Sequence, residues 1–453
     1  MAGFFDLDVW SKTVLQASHD QGFARHAVIA LGALNMAIDS IPPPNLPSSP
    51  QELEILPLDS LHRVYALQQY GKALQLMRRV PQDKTSSWIR NVIISCLLTT
   101  YFEAYIGNLN NAIAQAGAGI DLIDRIYVDN SSRSSDGFGY VSASSSLIDS
   151  DLISIFARLE AVIKYFQEEH QIKWTSRPLR TTPPPTTAIF ENIPTSFTTI
   201  KEAKYCWDIS VARFIRYRDS FFELNESFGD GKVQNSLFKP VEFIEDMQQR
   251  ELPVVAKACT KWFQAFSPIL QRSRENQGTS EFFSASVMYL QYLTSITVLS
   301  LSVEKSECAC DRFLDEYITI IDQAEAVLEA THNRYPTERS KSTFAFDCNL
   351  IWSLKLVGTK CRDRKVRRRA IDLMRKYPRR EGCRDNEMSA AVTSWLMERE
   401  EEGVESEFIP EEKRLKIVRI NERLDERRVM IVCSRFMEGR EEREELPPAI
   451  IKW

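Results

Sequence analysis

The sequence predicts an all-α protein: a multi-helix domain of antiparallel helix pairs, with a tetratricopeptide-like texture in the N-terminal half and a small C-terminal β-hairpin. Three observations predict it. Apolar residues recur at helical spacing through most of the 453 residues. The helical stretches are separated by short Gly, Asn and Pro signals. Beyond about residue 414 the pattern changes to β-branched residues alternating in twos. With 43% hydrophobic and 26% charged residues the chain has the apolar content for a sizeable core and none of the depletion that marks disorder.

Gly22 to Ile38 is nearly all apolar or small and reads as a buried helix, stopped by the Ile41 to Pro44 proline run. Leu67, Tyr70, Leu74 and Met77 form the stripe of a second helix. Trp88 to Tyr105, apolar all round, is a third, and Gly107-Asn108 breaks it before a fourth from Leu109 to Ile126, which predicts an antiparallel pair. Gly117-Ala118-Gly119 inside that fourth helix reads as a close-packing site rather than a nucleotide loop. Leu152, Ile155, Leu159, Val162 and Phe166 make the next stripe. Asp129 to Ser146 and Gln171 to Ile200, rich in Ser, Gly, Pro and Thr, are expected as loops. Further helices are expected at Glu202 to Glu223, Val241 to Arg274, Phe282 to Val303, Phe313 to Ala330 and around Met388 to Leu396. Arg414 to Ile420 and Arg427 to Cys433, flanking polar Asn421 to Glu426, predict the hairpin. The expected division is an N-terminal lobe over 1–170, a linker over 171–200, a C-terminal lobe over 201–403 and a hairpin with tail over 404–453.

The densest local signal is Lys360 to Gly382, which holds eleven Lys and Arg in a chain of net charge −5. Val366, Ala370, Leu373, Met374 and Tyr377 fall on one stripe, so the segment is an amphipathic helix ended by Pro378. A solvated helix face with structural ion pairs ranks first, a nuclear-import patch of Arg367, Arg368, Arg369, Lys376, Arg379 and Arg380 second, and direct phosphate contact third. Asp363 and Asp372 interrupt the positive field, so direct DNA binding by this chain is not expected.

Signatures of known catalytic sites are missing from the sequence: no GxSxG, HExxH, Walker loop or strand-following GxGxxG. Ser302 and Lys305 match S-x-x-K without its companion motifs. The five histidines are dispersed, and Cys308-Ala309-Cys310 lacks the second pair that a zinc site needs. No catalytic, cofactor or metal residue is therefore assigned. Nine scattered cysteines and an acidic start without a signal-like apolar block point to reduced thiols in the cytosol or nucleus. The most apolar window, Val92 to Leu98, falls short of the roughly 20 residues of a membrane span, so no membrane partner is expected.

Cys361 to Gly403, followed by FIPEEKRLKIVRINERLDERRVMIVC, resembles the C-terminal part of the fungal-specific regulatory domain of binuclear zinc-cluster transcription factors. Arg25 to Asn35, Tyr65 to Arg78, Ile94 to Ile123 and Ile155 to Glu160 are similar to successive helices of the same domain, in the same order. The resemblance implies a non-enzymatic transcriptional regulator in a fungal nucleus, otherwise cytoplasmic, acting through contacts with a protein partner or second copy, or by closing around a small-molecule effector. The family's N-terminal C-x2-C-x6-C cluster has no counterpart here: the first cysteine is Cys96. No zinc ligand is carried over, and zinc enters only with such a cluster. The alternatives are a helical protein-interaction scaffold without a role in transcription and, more weakly, a helical enzyme. Trp262 to Phe266 and Phe282 to Tyr292 are expected as core before they are expected as pocket walls.

Overall fold

The computed structural model describes residues 5, 8–39, 58–78, 86–131, 149–170, 193–228, 252–301, 304, 306–334, 343–345, 350–382, 384–423, 427–437 and 443–453. Ser302, Lys305, Cys348, Cys383, most of the two expected loops and the first part of the expected Val241 to Arg274 helix lie outside them. Among the described residues there are thirteen α-helices. They are α1 (Val14–Asp20), α2 (Gly22–Asp39), α3 (Leu58–Met77), α4 (Ser86–Tyr105), α5 (Leu109–Ser131), α6 (Ser150–His170), α7 (Ile200–Phe228), α8 (Leu252–Arg274), α9 (Ser280–Leu301), α10 (Leu314–Arg334), α11 (Leu350–Lys360), α12 (Arg364–Lys376) and α13 (Asn386–Glu401). The fold is mostly helical with a small antiparallel sheet near the C-terminus, as the periodicity predicts.

Helix ends follow local chemistry. Thr199 and Glu202 form a reciprocal capping box at the start of α7: Glu202 N–H donates to Thr199 Oγ1 at 3.1 Å, and Thr199 N–H donates to Glu202 Oε2 at 3.3 Å. Asp363 Oδ1 accepts from the Lys365 and Val366 amides at 2.9 Å each and caps α12. The aspartate expected to interrupt the basic field is therefore a structural cap. Gly107 closes α4 in a left-handed conformation (φ 84°), and the Asn108 amide reaches back to the Glu103 carbonyl at 2.8 Å. That turn sends α5 back along α4, against which it packs.

Helices pack as sequential pairs, α2 on α3, α4 on α5, α6 on α7, α8 on α9 and α11 on α12. Two apolar cores result. The first joins α1 to α6, with Phe102, Phe156, Ile93, Leu97 and Ile120 essentially inaccessible. The second joins α8 to α12 around Trp262, Phe266, Tyr317 and Leu354. Helix α7 serves both: Ile209 and Ala212 lie in the first core, Ala203 and Trp207 in the second. Ile193 and Phe197, within the stretch expected to be a linker, are buried in the second core, and so is Phe5. The aromatic helices read as core do form core, with Trp262 stacked on Phe266 at a centroid distance of 4.9 Å. Helix α9 is long and apolar enough to cross a membrane by length and composition, but 61% of that stretch is buried in the second core. Among the described residues it is the one helix that meets that length and composition.

The tail holds more β structure than the expected hairpin. Strands β4 (Lys416–Arg423) and β5 (Arg428–Phe436) pair antiparallel, the first arm starting two residues later and ending three residues later than predicted. Strands β6 (Arg443–Glu445) and β7 (Ala449–Lys452) both add to β5. Met388, Val392 and Leu396 of α13 cover this sheet, so the tail shares a core with α13 rather than hanging from it. A second small sheet, also unexpected, pairs β1 (Thr343–Ala345) parallel to β2 (Arg379–Glu381), which turns antiparallel into β3 (Arg384–Asp385).

Gly119 is the close-packing glycine of α5. A Cβ there would overlap the Phe156 ring and lie 3.2 Å from Cys96 Cβ. Gly119→Ala is expected to destabilise by about 1–3 kcal/mol through overpacking. Gly32→Ala, in helix α2 with nothing within 4 Å of the added carbon, is expected to stabilise by about 0.5–1 kcal/mol. Urea denaturation of both variants checks the opposite signs.

Candidate functional site

The basic segment is the first candidate. Its helical period puts Arg367 on the same face as Ala370, Ile371 and Met374, and that face packs inward. Arg367 is fully buried: Nη1 donates to Glu400 Oε2 at 2.6 Å and Nε to the Gly358 carbonyl at 2.8 Å. Arg414, equally buried, donates to the same Oε2 at 2.7 Å and to the Thr359 and Lys360 carbonyls at 3.0 and 3.1 Å. Glu400 Oε1 accepts the Leu415 amide at 2.8 Å. Two guanidiniums thus sit on the carbonyl end of α11, where positive charge is favoured.

Arg379 and Arg380 are in strand β2, not on a free extension of the helix, and both are buried. Arg379 pairs with the buried Glu381 at 2.9 Å, and Glu381 Oε2 in turn accepts the Ile351 amide at the start of α11. Arg380 lies over the Tyr105 ring at 4.9 Å and donates to the Tyr105 carbonyl at 3.2 Å, tying β2 to the end of α4. Arg368, Arg369 and Lys376 do reach the surface, and each faces an acid: Glu401 at 2.5 Å, Asp322 and Glu325 at 2.9 and 2.6 Å, and Glu329 at 3.7 Å. The six residues expected as an import patch therefore do not form one exposed patch. Three are structural, because helix period and strand pairing turn them inward.

Glu307 opens the 3₁₀ turn Glu307–Phe313 and accepts from Lys360 Nζ at 2.6 Å. Burial opposes its ionisation, but Lys360, then Arg414 and Lys416, outweigh burial and hold the carboxyl down at about 2. Cys308 and Cys310 are free thiols, and burial pushes Cys308 up to about 12 and Cys310 upward. Among the described residues no group of three or more His, Cys, Asp or Glu is placed to hold a metal ion. His26 Nδ1 is 2.6 Å from Gln69 Oε1, while His19 is exposed beside Asp20, so the two do not share a site.

The second candidate is a cavity of about 190 Å³ where the two cores meet. Helices α4, α5, α6 and α7 form one side, and α9, α11 and Gly382 in the β2–β3 turn form the other. Its walls are mainly apolar, with Ala104, Ala112, Ala157 and Ala161 leaving the space and Trp207 and Trp352 bordering it. The charged corner is Arg158 and Asp208. Asp208 Oδ2 accepts from Ser154 Oγ at 2.5 Å, Lys204 Nζ at 2.6 Å and Arg158 Nη1 at 2.9 Å. No local motif marks this site in the sequence: six helices contribute two to seven residues each. A charge on an apolar stripe was the available signal, with Arg158 beside Leu159 and Val162, and the Lys204/Asp208 pair flanking Trp207.

No family model, curated protein or solved structure matches this chain. The class that fold and site define is a two-core helical protein with a cavity at the core junction and a sheet-bearing tail.

Arg367→Gln is expected to cost about 3–5 kcal/mol by stranding Glu400 and Arg414. The double variant Arg368→Gln/Arg369→Gln is expected to cost at most about 1 kcal/mol per exposed pair. Chemical denaturation checks the contrast. Glu307 predicts the acid limb: its folded pKa is depressed, so its contribution is complete above the ordinary value of 4.5 and is lost as pH falls toward about 2. Glu307→Gln is expected to flatten stability against pH in that window, measured by urea midpoints.

Proposed function

We propose that this chain is a regulatory domain of the fungal zinc-cluster type, a nuclear transcriptional regulator that works by contacts and not by covalent chemistry. The observation that carries the reading is the mainly apolar cavity where the two helical cores meet. Its charged corner has Asp208 tied to three donors, an arrangement that suits a receptor for a small effector better than an acid–base site. An effector there touches both cores at once and so biases how they pack, which is the form a ligand signal takes in a helical domain. The order of helices that resembles the family supports the same reading, and the Arg-rich helix α12 belongs to it as a structural element rather than a DNA reader.

One observation favours a second reading as a protein-interaction scaffold. Leu61, Val64 and Tyr65 are about half exposed on one face of α3, opposite Ala66, Tyr70 and Ala73. The two readings separate in a fungal host. Fused to an unrelated DNA-binding domain, the chain is expected to change transcription of a reporter bearing that domain's site, and the tagged chain is expected to accumulate in the nucleus. A fusion without effect on the reporter, together with nuclear exclusion under every growth condition tried, sinks the regulator reading and leaves the scaffold.

A further inference from the structure

We propose that the junction cavity binds a small, mainly apolar molecule with one hydrogen-bond-accepting oxygen head, a carboxylate above all, its body between α5 and α6 and its head at Arg158. The inference deepens the reading above by naming the ligand class, and it rests on that reading's assignment of the cavity as a receptor site.

Size comes first. A cavity of about 190 Å³ is somewhat larger than the roughly 150 Å³ apolar cavity that admits benzene. It takes a single ring or a short branched chain with a small head. Shape agrees, because Trp207 and Trp352 both border the space and suit a planar body.

The head group follows from the charged corner. Arg158 carries five N–H donors in a fixed fork and no acceptor, so the group it recognises must accept hydrogen bonds. Asp208, the acid that lines the cavity, already faces two cations: its Oδ2 receives Lys204 and Arg158 as well as Ser154. An ammonium head would have to enter beside two existing cations. A carboxylate meets them favourably.

The position of the cavity gives binding a mechanical consequence. Its far wall includes Trp352 of α11 and Gly382 of the β2–β3 turn, and Arg384 lies over the Trp352 ring at 4.8 Å. Arg380 in the same small sheet holds the Tyr105 carbonyl of α4. A ligand between α5 and α6 that also touches Trp352 therefore adds contacts across the junction that Arg380 already spans. Binding should raise the cooperativity and midpoint of unfolding.

The test uses the whole chain and three probes of one skeleton: phenylacetate, phenylacetamide and phenethylamine. Phenylacetate is expected to change the tryptophan fluorescence saturably and raise Tm, the amide to bind more weakly, and the amine to do neither. Arg158→Met is expected to lose roughly ten-fold or more in phenylacetate affinity, the weight of a charge-assisted hydrogen bond, and to bind acid and amide alike. Arg158→Lys should restore part of the preference for the acid. Ala112→Phe fills the cavity from α5 and keeps the test open if the arginine variants do not fold: it should retain the Tm of the unliganded parent and lose both the acid and the amide. The proposal is overturned if phenylacetate leaves both fluorescence and Tm unchanged, if the amine binds as well as the acid, or if Ala112→Phe binds like the parent. Because binding is read on purified protein, its failure leaves the reporter experiment standing. A silent reporter beside saturable phenylacetate binding would instead refute transcription and keep the receptor site.

Discussion

A single carboxylate organises the C-terminal half of this fold. Glu400 is fully buried near the end of α13, and its two oxygens receive Arg367 of α12, Arg414 and the Leu415 amide. Those guanidiniums also take the last carbonyls of α11. Four segments between Gly358 and Leu415 are thereby held in one register, and the chain entering β4 is fixed at Leu415. A buried ion cluster of this kind is not a large net source of stability, since desolvation offsets most of the attraction. Its effect is selective: any packing that displaces one member leaves uncompensated charge in an apolar interior, so competing arrangements of α11, α12, α13 and the tail are costly. Met388, Val392 and Leu396 then seal the sheet onto α13.

The same logic explains which parts of the structure can be read from the residues. Apolar period places most helices, because burying a stripe is the dominant local constraint, and the stripe of Tyr317, Ile321, Ala324 and Leu328 is indeed inward. Helix α11 escapes that reading: it is short and almost wholly buried, so it has little polar face to reveal a period. The extra strands escape it for a different reason. Strands β1, β2, β3 and β6 have two or three residues each and exist through pairing with distant partners rather than through local alternation. The capping box at Thr199 and the aspartate caps at Asp363 and Asp385 were legible in principle, since the spacing of side-chain acceptor and amide is local.

Charge is where sequence reasoning is least reliable here. Eleven cations between Lys360 and Gly382 look like one patch on paper. In the fold they divide by face and by strand: Arg367, Arg379 and Arg380 are interior, while Arg368 and Arg369 meet acids of α13 and α10. The partners Glu400, Glu401, Asp322 and Glu325 are up to 47 residues away, so no window centred on the arginines shows the neutralisation. The domain limits suffer similarly. A Pro- and Thr-rich stretch suggests a hinge, yet Ile193 and Phe197 anchor its end in the second core, and α7 contributes to both cores.

That shared helix also borders the cavity, through Trp207, Asp208 and Val211. The space of about 190 Å³ is partly open, so the packing it forgoes stays below the about 4–5 kcal/mol of a closed, dry void of that size, against the roughly 5–15 kcal/mol that separates folded from unfolded states. Larger side chains at Ala104, Ala112, Ala157 or Ala161 would recover part of it, and such substitutions are within easy reach. The cavity also carries a second cost, the burial of Arg158, Lys204 and Asp208 at its corner. Stability alone favours neither the void nor the charges. An occupant that fills the apolar space and meets the arginine, as proposed above, would offset both costs together, which ties the least stable feature of the junction to the proposed receptor role.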